Sequence, residues 1–263
     1  MTILEAFNLE GQVAIVTGGG THLGKAMATA LAQLGASVVI ASRREELCIK
    51  VANELKNTGL DVTGRRCDMT IDSDITNLVK SVSDAKGRLD TIVCNAGGAA
   101  AQSTHLPNGS VSEFMDTLEL NVKGTYLSAQ AAAKIMVKQK RGSIITIGSI
   151  HGSLTTNKQF YDGLGFNRGG PAYQASKGAI INFTRNIAGE LGEFGIRANC
   201  ISPGQIPKPD ASPEFSQRCL SNIPMNRGGE PEDLMGAVAL LASNAGSWIT
   251  GQNLIVDGGW TIW

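Results

Sequence analysis

Tyr173 and Lys177 stand four positions apart, so on a helix they share one face. Their types suit proton transfer. A phenol loses its proton only near pH ~10, too high for a base at neutrality, and a nearby ammonium stabilises the phenolate and brings that value down. Ser149 closes the apolar run Ile144 to Ile147, where its hydroxyl can donate to a carbonyl oxygen that gains negative charge. The pair alone is also what two neighbours on an exposed amphipathic helix look like, so context decides. Small residues around it, Ala172, Ala175, Ser176, Gly178 and Ala179, permit close approach of a ligand or another helix.

Those residues need elements to hold them. Apolar runs suited to buried parallel strands recur at Val13 to Thr17, Ser37 to Ala41, Val62 to Cys67, Thr91 to Cys94, Ser143 to Ile147, Arg197 to Ile201 and Asn253 to Val256. Between them lie longer stretches with spaced apolar positions, such as Ala26 to Leu34, Glu45 to Thr58 and Ile71 to Ala85. This alternation predicts a doubly wound α/β fold, a parallel sheet with helices on both faces, formed as one domain over residues 1–263. Two segments fall outside the pattern: a glycine-rich stretch near 151–171, which reads as an insertion, and 207–223, which reads as a lid with a short helix from Pro213.

After the first strand comes Thr17-Gly18-Gly19-Gly20-Thr21-His22-Leu23-Gly24, then a helix-compatible run from Lys25. A strand, a glycine turn and a helix N-terminus in that order make a phosphate site, because glycines let the backbone approach and the free amides favour negative charge. The second strand ends in Ile40-Ala41-Ser42-Arg43-Arg44 without a carboxylate. An acidic side chain there would take both ribose hydroxyls of NAD, whereas Ser42 and Arg43 suit the 2′-phosphate of NADP, which is therefore expected over NAD. The plainer alternative is that Arg43 and Arg44 only begin an exposed helix, balanced by Glu45 and Glu46.

Lys plus Arg equals Asp plus Glu at 23 each, leaving no basic field for nucleic acid or an anionic membrane. Met1 to Gly11 carries Glu5 and Glu10 and lacks the basic start and apolar run of a signal peptide, and no run of about 18 apolar residues follows, so a cytoplasmic setting is expected. The five cysteines are scattered and never spaced C-x-x-C, which fits reduced thiols and no metal site.

The glycine turn has the form T-G-x-x-x-G-x-G, the cofactor motif of the short-chain dehydrogenase/reductase family, which this chain resembles through most of its length; His22 replaces the middle glycine. A histidine tolerates an unusual turn conformation better than a β-branched residue, and its ring is either a bystander or a phosphate contact. The resemblance implies a Rossmann-type sheet and reversible hydride transfer between a nicotinamide and a secondary alcohol or ketone, with Tyr173 handling the proton. It makes Asn121, Ser149, Tyr173 and Lys177 a catalytic set, with Lys177 also gripping the nicotinamide ribose and Asn121 supporting a water-linked proton path. It assigns Gly18, Thr21, Leu23 and Gly24 to the pyrophosphate, and Asp68, with Met69 beside it, to the adenine. Asp68 reads equally as a cap for the helix after Thr70.

Cys94-Asn95-Ala96-Gly97 is similar to the family's N-N-A-G motif, with cysteine first; Asn95 is either structural or, with Ala96 and Gly97, a backbone contact of the cofactor. Pro203-Gly204-Gln205-Ile206 is similar to the loop against the carboxamide, with Lys208 where threonine is common. Ser149 and Tyr173 are 24 positions apart, and roughly half that is usual in the family. The surplus, 155–170, mixes aromatics and amides with Asp162 and Arg168, which suits a polar ligand, or else covers the rim or meets a neighbouring subunit. With the Asp257-Gly258-Gly259-Trp260 ending, it is most similar to sugar and sugar-acid dehydrogenases of the gluconate 5-dehydrogenase type. Trp260 and Trp263 are expected at a subunit interface of a homotetramer. A 3-oxoacyl thioester reductase and a non-catalytic NADP-binding sensor are the alternatives.

Overall fold

The computed structural model describes residues 1–98, 106–164, 170–208 and 211–262. Among these residues seven parallel strands form one sheet in the order β3-β2-β1-β4-β5-β6-β7. They are β1 Val13–Thr17, β2 Ser37–Ser42, β3 Val62–Arg66, β4 Thr91–Cys94, β5 Gly142–Ile147, β6 Ile196–Pro203 and β7 Asn253–Val256. Central strands are apolar throughout because both faces are covered: β1 and β4 are buried at every position, with alternate side chains entering opposite cores. Ala14 and Val16 join the core under α2 His22–Gln33, α3 Glu45–Lys56 and α10 Met235–Ala242, while Val13 and Ile15 join the one under α4 Asp72–Lys86, α6 Gly124–Gln139 and α8 Pro171–Leu191. This is the Rossmann-type arrangement that the alternation implies.

Strand order reverses between β1 and β4, and the crevice at such a switch point is where a doubly wound sheet takes a ligand. Among the described residues four further helices, α1 Ile3–Phe7, α5 Val111–Leu118, α7 Lys158–Tyr161 and α9 Pro213–Asn222, lie around this frame. The last begins at the expected Pro213, with Ser212 capping it through the Phe215 amide. The five cysteines are unpaired and buried. Burial pushes the Cys67 and Cys94 thiols up to about 12, as buried structural cysteines require.

Candidate active site

A cavity of about 610 Å³ opens over the C-terminal ends of β1 to β6. One wall is the glycine turn. Gly18 has φ +67°, and a Cβ on it would lie 2.7 Å from Asn95 Nδ2; a Cβ on Gly24 would lie 2.2 Å from the Gly18 carbonyl oxygen. Only glycine fits either place, and the closeness brings the first turn of α2 against the cavity. Thr21, His22, Leu23 and Gly24 line it, and Thr21 makes no side-chain cap, so the first amides of the twelve-residue helix are left for a ligand. His22 takes φ 47°, the left-handed conformation natural to the glycine it replaces.

Thr17 and Asn95 lock this turn to β4. The Thr17 hydroxyl accepts from the Asn95 and Ala96 amides, both at 3.0 Å, and Asn95 Nδ2 donates to the Thr17 and Gly18 carbonyls at 2.9 and 3.2 Å. The Asn95 side chain is therefore structural, while Asn95, Ala96 and Gly97 line the cavity. At the end of β2, Ser42, Arg43 and Arg44 line it with no carboxylate among them. Cys67 and Met69 line it but Asp68 does not. Asp68 Oδ1 accepts from the Thr70 amide at 3.0 Å and the Thr70 hydroxyl at 2.8 Å. The amide bond foremost holds this carboxyl below the usual carboxylate range, with Arg43 adding to it. As α4 starts after Ile71, Asp68 closes the turn before the helix and is not its cap.

At the other end, Ile147 from β5 and Ser149 just beyond it line the cavity with Tyr173 and Lys177 from α8. Lys177 is 5% exposed; its Nζ donates to the Ile147 carbonyl at 2.7 Å and lies 5.7 Å from the Tyr173 ring centroid. Burial lowers its pKa to about 8. Burial also raises Tyr173, and the group that draws it back is the Ser149 hydroxyl. Lys177, whose Nζ is bonded to the Ile147 carbonyl, is not among the groups that draw the tyrosine back here.

Asn121 does not line the cavity. It sits, fully buried, in a π-helical turn, Glu119–Lys123, between α5 and α6. Its Oδ1 accepts from the Gly98 amide and its Nδ2 donates to the Gly98 carbonyl and the Ser176 hydroxyl, each at 2.9 Å. The extra residue of the π turn swings this amide between the loop after β4 and the helix that carries Tyr173 and Lys177. Pro203, Gly204, Gln205 and Ile206 close the last wall.

Sequence reasoning missed several lining residues, Gly98, Leu120, Gly148 and His151, of which His151 alone has an ionisable side chain. Its Nδ1 is buried without a hydrogen-bond partner among the described residues, and burial lowers its pKa, so the imidazole is neutral. The available signal was its place two residues after Ser149, in the turn that Ser149 caps through the His151 amide at 3.1 Å.

Of the two readings of the insertion, Phe160 follows the one in which it covers the rim: it is 3% exposed and packs with Cys219 and Ile223 of the lid segment. Arg218 is likewise committed, donating to the Phe160 carbonyl at 2.6 Å and pairing with Glu214. Trp260 meets the Phe160 ring edge-on, centroids 4.9 Å apart, so its own chain accounts for much of its burial. Phe166, Asn167 and Arg168 of the insertion, and Trp263, lie outside the described residues.

A turn that excludes side chains at Gly18 and Gly24, a helix start with free amides, two arginines and a buried lysine at the far end fit a nicotinamide dinucleotide. The comparisons agree. Residues 20–261 match a family model described as enoyl-(acyl carrier protein) reductase. Galactitol 2-dehydrogenase of Rhizobium johnstonii is 33% identical over 268 residues, covering 100% of both chains. A gluconate 5-dehydrogenase of Burkholderia cenocepacia, solved with NADP and tartrate, superposes with a TM-score of 0.89 at 28% identity, covering 100% of both. A 7α-hydroxysteroid dehydrogenase, solved with NADH and 7-oxo glycochenodeoxycholic acid, gives 0.88 at 33% identity, covering 98% of both. The chain belongs to the short-chain dehydrogenase/reductase family. It is thereby an NAD(P)-dependent oxidoreductase of CH–OH groups.

Proposed function

We propose that the protein interconverts a secondary alcohol and a ketone of a sugar or sugar acid, preferring NADP, with Tyr173 as acid and base. The observation that carries this reading is the convergence of Ser149, Tyr173 and Lys177 on one wall of the cavity whose opposite end is the glycine turn. The nicotinamide, when bound, supplies or accepts the hydride. Tyr173 Oη gives its proton to the carbonyl oxygen or takes it from the alcohol, and Ser149 donates to the same oxygen as charge builds there. Lys177 has donors beyond the Ile147 bond to hold a ribose and favour the phenolate; Asn121 braces the helix that presents both residues.

NADP preference is supported by Ser42, Arg43 and Arg44, which line the cavity with no carboxylate among its described lining residues. A polar substrate is supported by the unpartnered Nδ1 of His151, and by relatives named for galactitol and gluconate. The chain is read as one dinucleotide-binding domain, on the strength of its single sheet, and as a homotetramer, on the strength of Val111, Met115 and Tyr126 left exposed on α5 and α6. A monomer in sedimentation would refute the tetramer. A cytoplasmic setting rests on the unpaired cysteines and is checked by cell fractionation.

The test is a spectrophotometric screen of sugars, aldonic acids and their keto forms with NADP and NAD separately. Turnover with at least one pairing is expected, along with a fall of about 10²-fold or more in Tyr173→Phe that leaves cofactor binding intact. Full turnover by that variant would overturn the mechanism. NADP binding without turnover of any compound would instead point to a sensor.

A further inference from the structure

We propose that His22 is a positioning residue, a clasp that joins the glycine turn to the loop entering the lid and thereby slows release of the dinucleotide. The inference rests on the dinucleotide-binding reading of the cavity and extends it to a residue at which the chain departs from its family's motif. His22 is held at φ 47°, a left-handed conformation that is strained for an L-residue and free for glycine. A merely tolerated side chain at such a place would be expected to point into solvent. This one is half-buried, lines the cavity, and brings Nε2 to 3.4 Å from the Pro207 carbonyl, 185 residues further along the chain. Nε2–H donates and the carbonyl accepts.

The two ends of the clasp belong to different walls. Thr21 to Gly24 form the start of α2, and Pro203 to Ile206 form the loop opposite. Pro207 is half-buried with its ring close beside Gly228, where a Cβ would lie 3.0 Å from it, and the neighbouring Gly229 amide donates to the Gln205 carbonyl at 2.9 Å. Beyond Pro207 the chain runs to α9, which Arg218 ties to the insertion through the Phe160 carbonyl. Gln205 reaches the same insertion by donating to the Tyr161 hydroxyl at 3.2 Å. A molecule with its phosphates at the start of α2 is thus bordered by the His22 ring, and the bond that keeps the ring in place is anchored on the lid side. Loosening the clasp frees the phosphate end without touching Ser149, Tyr173 or Lys177.

The experiment is stopped-flow release of NADPH, followed by its fluorescence on chasing with excess NADP, in the parent chain, His22→Gly and His22→Asn. Glycine suits the left-handed backbone and asparagine tolerates it, so both keep the turn, while neither carries a ring to Pro207. Release about two- to tenfold faster in both variants, with the association rate unchanged, is expected from the loss of one hydrogen bond. Thermal midpoints at or above that of the parent would show that the fold is not the cause. Should the glycine variant fold poorly, the asparagine variant carries the same comparison. Parent-like release from either folded variant would overturn the clasp while leaving cofactor binding in place. Failure of the parent chain to bind NADPH at all would overturn the dinucleotide reading and the clasp with it.

Discussion

Lys177→Met is expected to remove turnover and yet stabilise the protein at neutral pH. The ammonium is buried, and its pKa is about 8 where 10.5 is usual. That difference, at about 1.4 kcal/mol per unit, corresponds to roughly 3 kcal/mol by which the fold disfavours the charged lysine. The sign follows from proton counting. Between about pH 8 and 10.5 the unfolded chain holds this proton and the native state does not, so stability rises with pH across the window. Below it the whole penalty is present.

Methionine removes the charge at similar length but forfeits the hydrogen bond to the Ile147 carbonyl, a loss of about 1 kcal/mol. The variant should therefore lead by about 2 kcal/mol near pH 7. Near pH 9.5 only about 1 kcal/mol of penalty remains and the lost bond cancels it. Urea unfolding of both proteins at the two pH values measures this directly. A methionine variant less stable near pH 7, or a difference that does not change with pH, would refute the reasoning.

Two further outcomes concern recognition. Ser42→Asp combined with Arg43→Ala places a carboxylate at the end of β2 and removes a cation; NADP affinity should fall about 10- to 100-fold with little change for NAD, and an equal loss for both would remove these residues from 2′-phosphate binding. His151→Leu keeps bulk beside Ser149 without a nitrogen. The KM for a polar substrate should rise about three- to tenfold with cofactor affinity constant, and an unchanged KM would free the imidazole of any substrate role.

Strand positions were legible because a sheet covered on both faces needs unbroken apolar runs: β1 and β4, buried throughout, begin and end where those runs do. Their extensions were less so. β6 continues through Ser202 and Pro203 because these pair with Ile255 and Val256, a partnership invisible to local hydrophobicity. α2 starts at His22, four residues before its apolar spacing becomes regular, since the glycine turn itself forms its first turn. The lining residues of the glycine turn, β2 and α8 could be found because each motif is contiguous and its chemistry is local. The position of Asn121 could not: Glu119 to Lys123 reads as ordinary helix, and the π turn is set by bonds to Gly98 and Ser176, 23 and 55 residues away. The inward packing of Phe160 was hidden for the same reason, its partners coming from α9 and the chain's last turn.

That aromatic cluster bears on how new specificities are made from this scaffold. Phe160, Phe215 and Trp260 belong to three stretches far apart in sequence, yet their rings meet edge-on, Phe160 at the centre with centroids 5.7 and 4.9 Å away. Transplanting only the insertion from a relative with another substrate would leave Phe215 and Trp260 facing a mismatched neighbour. The three stretches form one module for recombination, and chimeras that exchange them together preserve a contact that single-loop grafts break.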